Sequence, residues 1–179
     1  MEWHPMVNCK MLKYLHENHR YAKCSERAMD NAASSNHIEV VQFLHANRSE
    51  GCSTAAIDFS VGQNNLEMIR YLAENRTEEC DTTVFDIAAS CGYLSIVRFL
   101  SENRTEGCTS SAYDGAAKGG YLKVFKYLIE NRTEGFTEQT FYNAKKFNRN
   151  NILQYITENK LKANKKNNDT NHRQRHVGE

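Results

Sequence analysis

The stretch NRTEGCTSSAYDGAAKGGYLKVFKYLIENRTEGF, residues 103–136, opens and closes on nearly the same six letters. Its two copies of the phrase stand 28 residues apart, and the phrase appears earlier as NRSEGC at 47–52 and NRTEEC at 75–80. The same interval governs other columns. Leu44, Leu72, Leu100, Leu128 and Ile156 keep it, as do Cys24, Cys52, Cys80, Cys108 and Phe136, and also Asp30, Asp58, Asp86 and Asp114. Chance does not align that many columns, so the chain reads as a tandem array. Its units are 24–51, 52–79, 80–107, 108–135 and 136–163, preceded by a half-unit or cap at 1–23.

Punctuation makes each unit a helix, a turn and a second helix. Ser25, Ser53, Asp81, Thr109 and Thr137 stand at the start, and each has a side-chain oxygen able to accept from a free amide of a first helical turn. A Cys or Phe lies one residue before that cap, and Met29, Ile57, Phe85, Tyr113 or Phe141 lies four after it. That spacing predicts a hydrophobic staple in every unit. The first helix is expected to stop at Asn36, Asn64, Gly92, Gly120 or Asn148, the residue types that most readily adopt the left-handed conformation. The second helix carries apolar residues at helical spacing, as in Leu122, Val124, Phe125, Tyr127 and Leu128. No strand pattern is present. The expected fold is all-α: an α-solenoid of tandem helix-turn-helix repeats.

In DGAAKGGYLKVFKYLI the paired alanines Ala116 and Ala117, the helix-ending Gly120, the branched pair Val124 and Phe125, and the pair Leu128 and Ile129 resemble the ankyrin repeat. The similarity runs from about Val7 to Asn159. The unit is shorter than the family's, about 33 residues, and the missing residues fall where that family projects a β-hairpin finger. A short loop such as Asn103–Gly107 is expected instead. The Thr-Pro-Leu-His opening of the family is replaced by AID, VFD or SAYD.

At 40% hydrophobic and 25% charged residues the chain has a globular composition with net charge +1, which excludes any strong pull toward nucleic acid or acidic substrates. The basic excess sits at 160–179, with six Lys or Arg against two acids, leaving 17 basic and 20 acidic residues before it. The segment from 164 on is expected to be a disordered basic tail. With neither a signal peptide pattern nor a long apolar run, the expected address is cytosolic, with the nucleus as alternative. At the array's ends, Trp3 and Met6 are expected to cover the first unit. Lys145, Lys146 and Asn150 are expected to make the last one a polar cap.

Six cysteines invite a disulfide or zinc reading. Equivalent positions in stacked repeats are about 8–10 Å apart, beyond the roughly 7 Å a disulfide spans, and no C-x-x-C is present. The repeated cysteines are expected to be buried thiols, with no metal and no cofactor. The sequons at Asn47, Asn75, Asn103 and Asn131 are read as echoes of the repeat, and the Asp ladder as inter-repeat hydrogen bonding. No phosphate loop, nucleophile elbow or isolated carboxylate pair points to catalysis.

The function expected is therefore non-enzymatic: a monomeric module that binds another protein, with no small-molecule substrate and no membrane, nucleic acid being a lesser alternative through the basic tail. A fragment or remnant of a longer repeat protein is a further alternative. The resemblance places partner contacts near the end of each first helix, on the concave side. Those positions differ most between units, and Gln63, Ser90, Lys118 and Lys146 are the candidate partner-binding residues.

Overall fold

The computed structural model describes residues 13–14, 17–18, 25–49, 51–75, 82–105 and 107–159. Within them helices come in pairs: α1 (Glu26–Ser34) with α2 (Ile38–Asn47), α3 (Ala55–Gly62) with α4 (Leu66–Asn75), α5 (Thr82–Ser90) with α6 (Leu94–Asn103), α7 (Ser110–Gly119) with α8 (Leu122–Asn131), and α9 (Glu138–Lys146) with α10 (150–159). Among the described residues there is no strand, and the fold is the expected helical solenoid. α6 ends at Asn103 and α7 begins at Ser110, so the connection is short where a finger would stand. The expectations placed on Trp3, Met6, Cys24, Cys80, Asp81 and the basic tail fall outside the described residues.

Each first helix stops where the sequence says it should. Asn36, Asn64 and Asn148 have φ of 58°, 56° and 54°, and Gly92 and Gly120 have 79° and 81°. The left-handed residue lets two amides turn back onto the helix: His37 donates to the Ala32 carbonyl at 2.9 Å and Asn36 to that of Ala33 at 3.0 Å. The same two bonds recur in all five pairs, which closes the orphan carbonyls and aims the second helix back along the first. The second helices end by another repeated device. The side-chain amides of Asn47, Asn75, Asn103, Asn131 and Asn159 donate to the carbonyls of Phe43, Tyr71, Phe99, Tyr127 and Tyr155 at 2.8–2.9 Å. Asn18 does the same to Tyr14 at 2.8 Å. The asparagine of the sequon is thus a helix terminator.

The caps follow the expectation with two departures. Thr109 and Thr137 accept from the amides of Ser111 at 3.0 Å and Gln139 at 3.2 Å. Ser53 accepts from Ala55 at 3.2 Å, although α3 opens one residue later than predicted, behind Thr54. Ser25 makes no such bond to its own helix. The hydroxyls of Ser53, Thr109 and Thr137 are held by an aspartate of the preceding unit.

The aspartate column supplies the bond between units. Asp30 accepts the Ser53 amide at 2.9 Å on one oxygen and the Ser53 hydroxyl at 2.7 Å on the other. Asp86 receives Thr109 in the same way, at 2.9 and 2.6 Å. Asp114 receives the hydroxyls of Thr137 and Thr140. Asp30, Asp86 and Asp114 therefore each satisfy polar groups at the first turn of the next repeat. In the last unit the column position is Tyr142.

Packing completes the array. Met29, Ile57, Phe85 and Tyr113 are buried with Cys52 (5% exposed) and Cys108 (6%), so the staples of units two and four, whose members are both described, close as predicted. Phe141 is 42% exposed, so the fifth staple does not close; among the described residues no further helix lies over it. Small side chains at Ala32, Ala33, Ser60, Ala88, Ala89, Ala116 and Ala117 let first helix meet first helix closely. Neighbouring first helices are in closer contact than neighbouring second helices, which puts the first-helix row on the inner side of the curve. On the second helices, Arg70 stands 4.8 Å from the Phe99 ring, Arg98 5.7 Å from Tyr127 and Lys126 5.0 Å from Tyr155. This ladder joins the second through the fifth unit on the outer side.

Candidate partner-binding face

The residues after each alanine pair face away from the core because the alanines face into it. Gln63, Ser90, Lys118 and Lys146 are all exposed. They are not equivalent. Gln63 donates its side-chain amide to the Ser34 carbonyl, tying α3 to α1. Ser90 meets Gly115 across the α5–α7 contact, where a Cβ on Gly115 would stand 1.8 Å from the Ser90 Oγ and 2.9 Å from its Cα. Gly115 is required by that approach.

Ser90 and Lys118 line one groove of about 580 Å³, together with Asp114, Gly115, Phe147 and Arg149. The Lys118 ammonium lies 5.6 Å from the centre of the Phe147 ring. Lys146 approaches the same ring at 5.8 Å and that of Tyr142 at 5.5 Å, so it sits beside the groove. Arg149 donates Nε to the Lys118 carbonyl at 3.0 Å. The sequence-predicted residues thus separate: Ser90, Lys118 and Lys146 gather around Phe147, and Gln63 lies one unit beyond Ser90.

Two exposed apolar residues on this row escaped the sequence reading. Phe59 is 49% exposed and Ile87 37%. They occupy one column in adjacent units, in company with Asn31, Gly115 and Asn143. The apolar residues in a column otherwise polar or small were the available signal. The C-terminal end also differs from the expected polar cap. Lys145, Lys146 and Asn150 are exposed as foreseen, but Phe141, Tyr142 and Phe147 are exposed among them, so that end is mixed aromatic and basic.

In the cysteine column Cys52 and Cys108 are buried, as expected. Burial, reinforced by nearby Glu134, pushes the Cys108 thiol up to about 12, which disfavours its thiolate form. Glu134 itself is pushed up by partial burial, but hydrogen bonds from Arg132 and from backbone amides outweigh this and hold its carboxyl at about 2. Its contacts are Arg132 Nε at 3.2 Å, the Thr133 amide at 3.0 Å and the Cys108 amide at 3.3 Å. This is a loop clamp rather than a site. Among the described residues no group of three His, Cys, Asp or Glu is placed to hold a metal. Nor is any helix long and apolar enough to cross a membrane.

A family model described as ankyrin repeats (3 copies) matches residues 29–114, from α1 into α7. Over those residues the chain is built of ankyrin repeats. No curated protein matches it. Ankyrin repeats generally mediate protein–protein interaction, and the family is typically non-catalytic. The left-handed stop and the asparagine terminator recur in all five helix pairs, including those beyond the matched residues.

Proposed function

We propose that this ankyrin-repeat protein is a protein–protein interaction module whose partner lies along the row of first helices, contacting Gln63, Ser90, Lys118 and Lys146 together with Phe59 and Ile87. The observation that carries the reading is the exposure of Phe59 and Ile87 in one column of that row. Exposed large apolar side chains grouped on one face mark an interaction surface, since burying each on binding is worth about 1.5–3 kcal/mol. On the outer side Arg70, Arg98 and Lys126 are engaged instead, each lying over a ring of the next unit. With the connection between units short, the helices rather than projecting fingers supply the contact surface.

The test compares partners recovered by the full chain with those recovered by two variants, Phe59→Ser with Ile87→Ser and Lys118→Glu with Lys146→Glu. Lys123→Glu serves as control because Lys123 is exposed on a second helix. Lys126 is unsuited, since its ammonium lies over Tyr155. Loss of the same partner from both variants and not from the control supports the reading. Equal recovery by all three folded variants rejects it.

A further inference from the structure

Charge and apolarity divide the row of first helices into two zones. Phe59 and Ile87 form its middle with the uncharged Gln63 and Ser90. Lys118, Lys146 and Arg149 gather at its C-terminal third. Among the described residues, none of these three cations lies within ion-pair distance of a carboxylate. The acid that lines their groove, Asp114, already accepts from the Thr137 and Thr140 hydroxyls. The two ammonium groups rest on one ring instead, 5.6 and 5.8 Å from the centre of Phe147. Like charges brought onto a shared apolar support repel each other, and an incoming anion relieves that repulsion. Arg149 is pinned through Nε to the Lys118 carbonyl, which fixes the guanidinium and leaves its remaining N–H groups to meet an oxyanion.

Resting on the reading of this row as the binding face, we propose that the partner segment is an acidic peptide lying along the row in one polarity. Its carboxylates meet Lys118, Lys146 and Arg149, and an apolar side chain covers Phe59 and Ile87. Charge selects this occupant over two others. The chain's own residues 160–179, with six Lys or Arg against two acids, would bring like charge to the groove. A nucleic acid strand presents a phosphate at every step, whereas Phe59, Gln63, Ile87 and Ser90 offer no cation along the middle of the path. The groove's confined charge beside an apolar stretch fits a peptide with both characters.

The experiment titrates the full chain, followed by fluorescence anisotropy, against two pools of short labelled peptides, one rich in Glu and Leu and the other in Lys and Leu, and against a labelled oligothymidylate. The Glu-rich pool is expected to bind best and to weaken with salt. Reversal of both charges in Lys118→Glu with Lys146→Glu should weaken it by about tenfold or more, while Lys123→Glu leaves it unchanged. Lys118→Gln with Lys146→Gln gives the same direction of loss if the reversal unfolds the chain, which a thermal melt reports. A Lys-rich pool that binds as well as the Glu-rich one, and whose binding is lost in Phe59→Ser with Ile87→Ser, overturns the acidic assignment while the face survives. Glu-rich binding that neither pair of substitutions changes overturns the face and the proposal together. An oligothymidylate that binds more tightly than the Glu-rich pool, through the same lysines, replaces the peptide with a phosphate backbone.

Discussion

Asp86 shows at the scale of one residue how a repeat is tied to its successor, because both of its oxygens are occupied by Thr109 of the following unit. Removing them leaves an amide and a hydroxyl at the start of α7 without their partner. Asp86→Ala is expected to cost about 1–3 kcal/mol, read as a drop in the urea midpoint. The period of the aspartates was visible in the sequence, and so was their likeness to an inter-repeat bond. Their partner was not, since it lies 23 residues on rather than 28, as in Asp30 to Ser53 and Asp86 to Thr109. Glu134 offers a second residue-scale test. Its carboxyl titrates at about 2 in the folded chain against an ordinary 4.5. A depressed acid contributes stability above its unfolded value and loses it as pH falls toward the folded one. Between about pH 4.5 and 2 the parent chain should therefore lose stability more steeply than Glu134→Gln. The difference should stay under about 1 kcal/mol because the pair with Arg132 is partly solvated.

At the scale of the helix, the stops were legible because conformation there is dictated by residue type: only Asn or Gly occupies the left-handed position in all five units. The cation–ring ladder was not legible. It pairs columns offset by 29 residues, Arg70 with Phe99 and Arg98 with Tyr127, and a basic residue on an exposed helix face reads as ordinary solvation. A double-mutant cycle on Arg98→Ala and Tyr127→Leu should return a coupling of about 0.5–1 kcal/mol. A coupling of zero would reduce the ladder to chance proximity. Phe59 and Ile87 were missed for a related reason. On a short helix whose other apolar residues are core, one more apolar residue looks like core as well, and only the depth of its column tells them apart. The same limit hid the roles of Phe147 and Arg149, whose meaning comes from Lys118 reaching them across a unit boundary.

Across the whole molecule, stability is a sum of units and of the contacts between successive units. Gly115 offers the sharpest test, since any larger side chain there meets the backbone of Ser90. Gly115→Leu should part α5 from α7 and convert one unfolding transition into two, the first belonging to one side of the breach, as seen by calorimetry. A single transition lowered in temperature would show that the row of first helices yields without uncoupling. The aspartate bond adds a direction to this sum. Every unit from the first to the fourth carries an acceptor for the one that follows, and the fifth carries Tyr142 in that place. The array is in this sense written like a sentence with a final stop. A duplicate of residues 108–135 spliced in between 135 and 136 would find an acceptor ahead of it and a donor behind it. The same duplicate grafted after the fifth unit would meet the Tyr142 phenol in place of a carboxylate, so insertion within the array keeps the aspartate bond and addition after the fifth unit loses it.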